Sequence, residues 1–206
     1  MILSYHGLNG FRFLDPMLPQ LIGPNRAPYV ERPIRLLANV EHAMKLRRLN
    51  RLWAQSAKVP PPFFTNLIGS RYGQDYQTLI QTCKTNNVQL VLATYSMAVT
   101  ARSDPEVINF YRQTFPFLLR YIKANEAHSL LVAQLARSDP SIRLVDTQPV
   151  LDGRYWEFTD LVHLTQDGRQ RVAEAFFNGI KAHLEKALAE PEGARVQNAI
   201  SSSQDQ

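Results

Sequence analysis

The chain has 206 residues, 45% of them hydrophobic and 20% charged, which is enough apolar side chain for one buried core and excludes an intrinsically disordered chain. Its single cysteine, Cys83, excludes an internal disulfide framework, and the longest apolar stretch, residues 88–99, is interrupted by Gln89, Thr94 and Ser96 and is shorter than a membrane span of about 20 residues. The formal net charge of +5 is concentrated in residues 1–60, which hold nine Lys/Arg against three Asp/Glu; a solvated helix face accounts for such a run, and no nucleic-acid partner is expected.

Residues 1–10 have neither a basic leader nor a long apolar run, so they do not read as a signal peptide. Residues 2–5 read instead as a short strand ending in a tight turn at His6-Gly7. A proline-rich connection through Pro16, Pro19, Pro24, Pro28 and Pro33 leads to a helix over 34–57, on which Leu37, Val40, Met44, Leu46, Leu49 and Trp53 recur at three-to-four spacing. Arg35, Lys45, Arg47, Arg48, Arg51 and Lys58 make that helix basic, and Pro60-Pro61-Pro62 ends it.

A second helix covers 74–85, with Ser70 ahead of it as an N-cap candidate. Asn86-Asn87 then turns the chain into a strand over 88–95. A helical region over 107–137 is broken or kinked at Pro116, and its His128 is expected to be half exposed. Ser138-Asp139-Pro140 makes a turn, residues 142–146 a strand, and a long irregular loop reaches Asp160. The last helix runs over 166–189, with Thr165 as N-cap, Asp167 at its positive end and Val172, Phe176, Ile180 and Leu184 as its buried stripe. The expected domain is 1–190, followed by a disordered polar tail over 191–206.

Strands separated by helices imply parallel pairing with right-handed crossovers, hence an α/β fold with helices on both faces. Chemistry in such folds lies beyond the strand carboxyl ends, here residues 6–10, 95–100 and 147–163. The last of these holds Asp160-Leu161-Val162-His163-Leu164-Thr165. A carboxylate three residues ahead of a histidine can reach back and hold the imidazole in one tautomer, leaving the other nitrogen as a general base. The same spacing also serves an aspartate that caps a turn.

No histidine pair has metal-ligand spacing with a third partner. There is no phosphate loop and no dinucleotide fingerprint, so no metal or cofactor is expected. His6, His42, His128 and His183 carry no further pattern. Tyr155-Trp156 would line a substrate pocket or cover the sheet edge equally well.

Followed by Gly168 and an amphipathic helix, the segment from Asp160 to Thr165 resembles the last block of the SGNH/GDSL-type ester hydrolases. Ile2-Leu3-Ser4-Tyr5-His6-Gly7-Leu8-Asn9 looks like that family's G-x-N-D block, residues 72–95 resemble its helix leading into a V-x-L-V-L-A-T-Y strand, and Asn125-Glu126 resembles the helix after its active-site loop. The resemblance reaches about residue 188 and implies a three-layer α/β/α flavodoxin-like fold. It further implies His163 as base, Asp160 as orienter, Asn9 and Gly7 at the oxyanion site, and no metal or cofactor. The substrate would be a small acyl ester or acetylated sugar, with transfer to water or, where water is excluded, to a sugar hydroxyl.

Gly10 stands where the family usually has aspartate, and the family's serine block and second glycine block have no counterpart ahead of Ile2. Gly69-Ser70 precedes a helix and Ser96 is not at the family's nucleophile position. The resemblance therefore implies a fold without its first strands and its nucleophile, and residues 2–5 are expected to form an exposed edge that invites self-association. Two alternatives stay open: a non-catalytic remnant that binds a ligand or partner, and a basic adaptor using the 34–57 helix, whose binding would weaken steeply with salt.

Overall fold

A computed structural model describes residues 1–8, 10–18 and 66–189. The 34–57 helix, most of the proline-rich connection, Asn9 and the 191–206 tail lie outside the described residues. Three parallel strands, β1 (Ile2–Ser4), β2 (Leu90–Ala93) and β3 (Ile142–Val145), form a sheet in the order β1-β2-β3. Ile2 pairs with Leu90 and Leu90 with Ile142, so the strands are in register at their amino ends. Among the described residues five α-helices accompany them: α1 (Arg71–Thr85), α2 (Pro105–Thr114), α3 (Leu118–Ser138), the single turn α4 (Gln148–Leu151) and α5 (Gln166–Ala189).

Local chemistry accounts for the helix ends. Ser70 Oγ accepts the Gly73 N–H at 3.0 Å and starts α1 three residues earlier than the apolar spacing alone indicates. Asp104 Oδ1 caps α2 at the Glu106 N–H, with Pro105 in the first turn where its missing N–H costs nothing. The break expected at Pro116 separates α2 from α3. Thr165 Oγ1 accepts the Gly168 N–H at 3.1 Å, and α5 occupies the span its apolar spacing indicates. Its stripe is half-buried rather than buried.

The strands are shorter than expected because side chains and helix ends compete for their backbone. Val88 donates its N–H to Cys83 O and finishes α1. Alternation then sends the β2 residues to opposite faces. Leu90 and Leu92 join Tyr72, Tyr76, Ile80, Leu131, Val132 and Leu135 in the larger core, whereas Val91, Ala93 and Val145 meet Tyr5, Phe176 and Ile180. Helices thus cover both faces of a parallel sheet, an α/β arrangement. Each fully buried leucine here, such as Leu118 or Leu131, contributes about 1.5–3 kcal/mol relative to exposure.

A 3-10 turn at Phe11–Phe13 buries Phe11 and leads to Asp15, whose carboxylate meets the Arg120 guanidinium of α3 at 2.6 Å with both side chains buried. At the sheet edge, Ile2 and Leu3 remain 43% and 41% exposed. No helix among the described residues is long and apolar enough to cross a membrane.

Candidate active site

Asp160 and His163 sit at the tip of a short loop closed by an antiparallel bridge between Phe158 and Leu164 and by Thr159 N–H donating to His163 O at 2.7 Å. The loop is held from both sides. Leu161 is fully buried and its carbonyl accepts the Ala98 N–H at 3.0 Å, which fastens the tip to the segment after β2. Behind it, Glu157 O accepts the Thr165 N–H, Arg171 reaches the buried Glu157 carboxylate at 2.7 Å, and a Cβ on Gly168 would run into Glu157 O. Only glycine allows that approach.

The two oxygens of Asp160 do two different jobs. Oδ1 accepts the Val162 and His163 N–H groups at 2.9 and 2.8 Å, an aspartate turn, while Oδ2 lies 2.6 Å from His163 Nδ1. Both readings of the D-x-x-H spacing are therefore realised at once. Partial burial works to raise the Asp160 pKa, but the two backbone N–H groups and the histidine ring together outweigh it and hold the carboxyl below its ordinary value. An ionised carboxylate at Nδ1 favours the neutral tautomer protonated there, which leaves Nε2 as the base. His163 is 76% exposed and among the described residues nothing hydrogen-bonds its Nε2.

Gly7 has a neighbour that the spacing argument does not single out, Tyr95. A Cβ on Gly7 would overlap the Tyr95 ring. Burial is the main cause that raises the Tyr95 pKa, and the charges of Tyr5 and Asp160 add to it. Tyr95 thus packs on the end of β1 within electrostatic reach of Asp160, and its position just after a buried strand is the available signal. Gly7 has a packing reason to be glycine, and Asn9 lies outside the described residues.

Other candidate residues are committed elsewhere. Ser70 caps α1 and donates to Leu67 O at 2.6 Å. Ser96 is 1% exposed and its hydroxyl lies 2.9 Å from Thr147 Oγ1, inside a network in which Thr94 Oγ1 donates to Asp146 Oδ1 and Thr147 Oγ1 to Thr94 O. That network ties the ends of β2 and β3. Tyr155 and Trp156 do not cover the sheet edge: both are exposed and form an edge-to-face pair at 5.2 Å. Tyr111 of α2 lies within electrostatic reach of both Asp160 and Tyr155.

His128 corrects the sequence expectation most clearly. It is fully buried rather than half exposed, with Nδ1 3.1 Å from Tyr72 OH and the rings of Phe11, Tyr72 and Tyr76 around it. Burial lowers its pKa to about 4. The Ala93 carbonyl lies near the ring and opposes that shift, though Nε2 makes no well-formed hydrogen bond.

Among the described residues no group of histidine, cysteine and carboxylate side chains is arranged to hold a metal ion. A cavity of about 900 Å³ opens between α3 and the carboxyl ends of β2 and β3, and neither Asp160 nor His163 lines it. Comparison of the chain with protein-family models, with curated proteins and with solved structures finds no match.

Proposed function

We propose that the chain is an ester hydrolase domain of the SGNH type, with the three-layer flavodoxin-like architecture of that family. In this reading His163 is the general base, Asp160 its orienter, and Gly7 and Asn9 belong to the oxyanion side of the site. The substrate is a small acyl ester or an acetylated sugar. One observation carries the reading: Asp160 Oδ2 lies 2.6 Å from His163 Nδ1 while Asp160 Oδ1 is occupied by two backbone N–H groups, on a loop pinned at the carboxyl end of β2. Three parallel strands in chain order are the arrangement of the last three strands in the 2-1-3-4-5 order, which supports it further.

Chemically, the pair would take a proton from an attacking hydroxyl at Nε2 and return it to the leaving alcohol, with Asp160 stabilising the imidazolium formed between the two steps. Ser70 and Ser96 are bound into a cap and a buried network, so the reading expects no serine-dependent turnover by this chain alone. The test has two readouts on the purified chain. Hydrolysis of p-nitrophenyl acetate should be equal for the chain and its His163→Ala variant; a rate that falls with His163 would reveal a working nucleophile and make the hydrolase complete. Nitrogen NMR of neutral His163 should show the proton on Nδ1 and a change of tautomer in Asp160→Asn. A proton already on Nε2 would remove the base from the site and end the proposal.

A further inference from the structure

Positive charge gathers beyond the end of β1 without an acid to balance it. Phe13, on the 3-10 turn, carries two guanidinium groups: Cζ of Arg12 lies 4.7 Å and Cζ of Arg71 5.7 Å from the centre of its ring. Arg71 is the first residue of α1, whose amino end carries a partial positive charge and whose first turn holds no acidic residue. The turn and the start of α1 also meet at Gly10, where a Cβ would lie 3.0 Å from the Tyr72 ring. Asp15, the acid nearest to Arg12 in the chain, is already engaged, with Oδ2 on Arg120 and Oδ1 on the Met17 N–H. Among the described residues no carboxylate pairs with Arg12 or Arg71, and neither guanidinium has a hydrogen-bond acceptor.

The arrangement runs against ordinary preferences in three ways. Two like charges share one ring. An arginine stands at a helix start, where an acid is the favoured residue. Arg12 is half-buried with its Nε closed off and unpaired, so only its terminal nitrogens are left to donate. Contact with the exposed Phe13 ring aligns the guanidiniums but contributes little in water. Local rules broken together mark a functional site, and an anion seated between the two arginines and the helix start relieves all but the closed Nε. Its charge follows from theirs. Two guanidiniums beside a helix amino end match a dianion with several acceptor oxygens, and at neutral pH a phosphate monoester is one. The patch follows the carboxyl end of β1, the side on which parallel α/β sheets hold their ligands.

We propose that Arg12 and Arg71, set on Phe13 at the start of α1, bind the phosphate group of a small phosphomonoester. The site stands whether or not the chain belongs to an ester hydrolase, because neither Asp160 nor His163 contributes to it.

The experiment titrates the 206-residue chain with methyl phosphate, and with dimethyl phosphate at matched ionic strength, at about pH 7.5 where only the first is a dianion, following amide shifts by NMR. Methyl phosphate should bind saturably with a dissociation constant of about 1 mM, at least about tenfold tighter than the diester, with the largest shifts at Arg12, Phe13, Arg71 and Tyr72. Arg71→Gln, a change at an exposed position, should weaken it about tenfold; Phe13→Leu, which keeps both charges and removes the ring that aligns them, should weaken it a few-fold. Should Arg71→Gln fail to fold, Arg12→Gln tests the same pair of charges. Vesicles of phosphatidylcholine carrying phosphatidic acid separate a lipid source from a soluble one: binding to them without binding to methyl phosphate would overturn the proposal. Equal response to the two esters, shifts centred elsewhere, or full affinity after loss of an arginine would each overturn it as well.

Discussion

Two histidines lie near the carboxyl end of the sheet, and they differ in nearly everything but their hydrogen-bonding atom. His163 places Nδ1 against a carboxylate 2.6 Å away in a loop where the ring is 76% exposed. His128 places Nδ1 against the neutral hydroxyl of Tyr72 at 3.1 Å and is wholly enclosed. The first ring has a charged partner and an open face, whereas aromatic walls hold the second neutral down to about pH 4. Having a partner is common to both; access and the partner's charge decide which one can serve as a base.

The largest effect should come from emptying the enclosed site. His128→Ala removes a buried ring and should cost about 3–5 kcal/mol, while His163→Ala should change stability by about 0.5 kcal/mol or less; urea unfolding of the two variants side by side would break the comparison if the costs were similar.

Acid unfolding sharpens it. His128 is neutral when folded, so between pH 6.5 and about 4 only the unfolded chain binds its proton, and stability falls as pH falls, by about 3 kcal/mol in all. Asp152 runs the other way. Burial, aided by the charges of Asp146 and Glu126, raises its pKa to about 6, so the folded state binds the extra proton and stability rises as pH falls through that value toward 3.8. The two slopes oppose each other between about pH 4 and 6. Asp152→Asn should therefore stabilise the chain at pH 7 by roughly 2 kcal/mol and expose the His128 slope; a melting temperature independent of pH from 6.5 to 4 in that variant would contradict the burial of a neutral His128.

A third region responds through association rather than stability. Ile2 and Leu3 leave apolar surface at the β1 edge, and light scattering of Leu3→Lys should show less self-association than the parent chain, as a charge on an edge strand opposes pairing. An equally monomeric parent would remove that expectation. A change as small as that of His163→Ala belongs to its partner in the exposed loop: Asp160→Asn should lose about 0.5 kcal/mol or less, since water already screens the pair and an asparagine Oδ1 can still accept the Val162 and His163 N–H groups.

Much of this is legible in the chain where the causes are local. The ends of α5, its Thr165 cap, the Ser70 cap and the break at Pro116 all follow from groups within a few residues of one another. So does the Asp160–His163 contact, because three residues of a tight turn suffice to make it. The short α4 and the 3-10 turn at Tyr155–Glu157 occupy a stretch whose sequence indicates only an irregular loop. They are held by distant partners, Thr147 Oγ1 on Thr94 O and Gly153 N–H on Met97 O, and no neighbouring residue announces them.

His128 shows the same limit from the other side. α3 is buried around much of its circumference, with Ala124, Asn125, Ala127, His128 and Ser129 all enclosed, so apolar spacing gives no exposed stripe from which to read one residue's depth. By itself the sequence determined the Ser70 and Thr165 caps and the reach of Asp160 to His163, all set by backbone geometry over one or two turns of chain. Only the tertiary structure decided which histidine meets water, that Ser96 is sealed inside a hydroxyl network, and that the Tyr95 ring closes on Gly7. Those facts depend on which surfaces close over which, a property of side chains brought together from 50 or more residues apart.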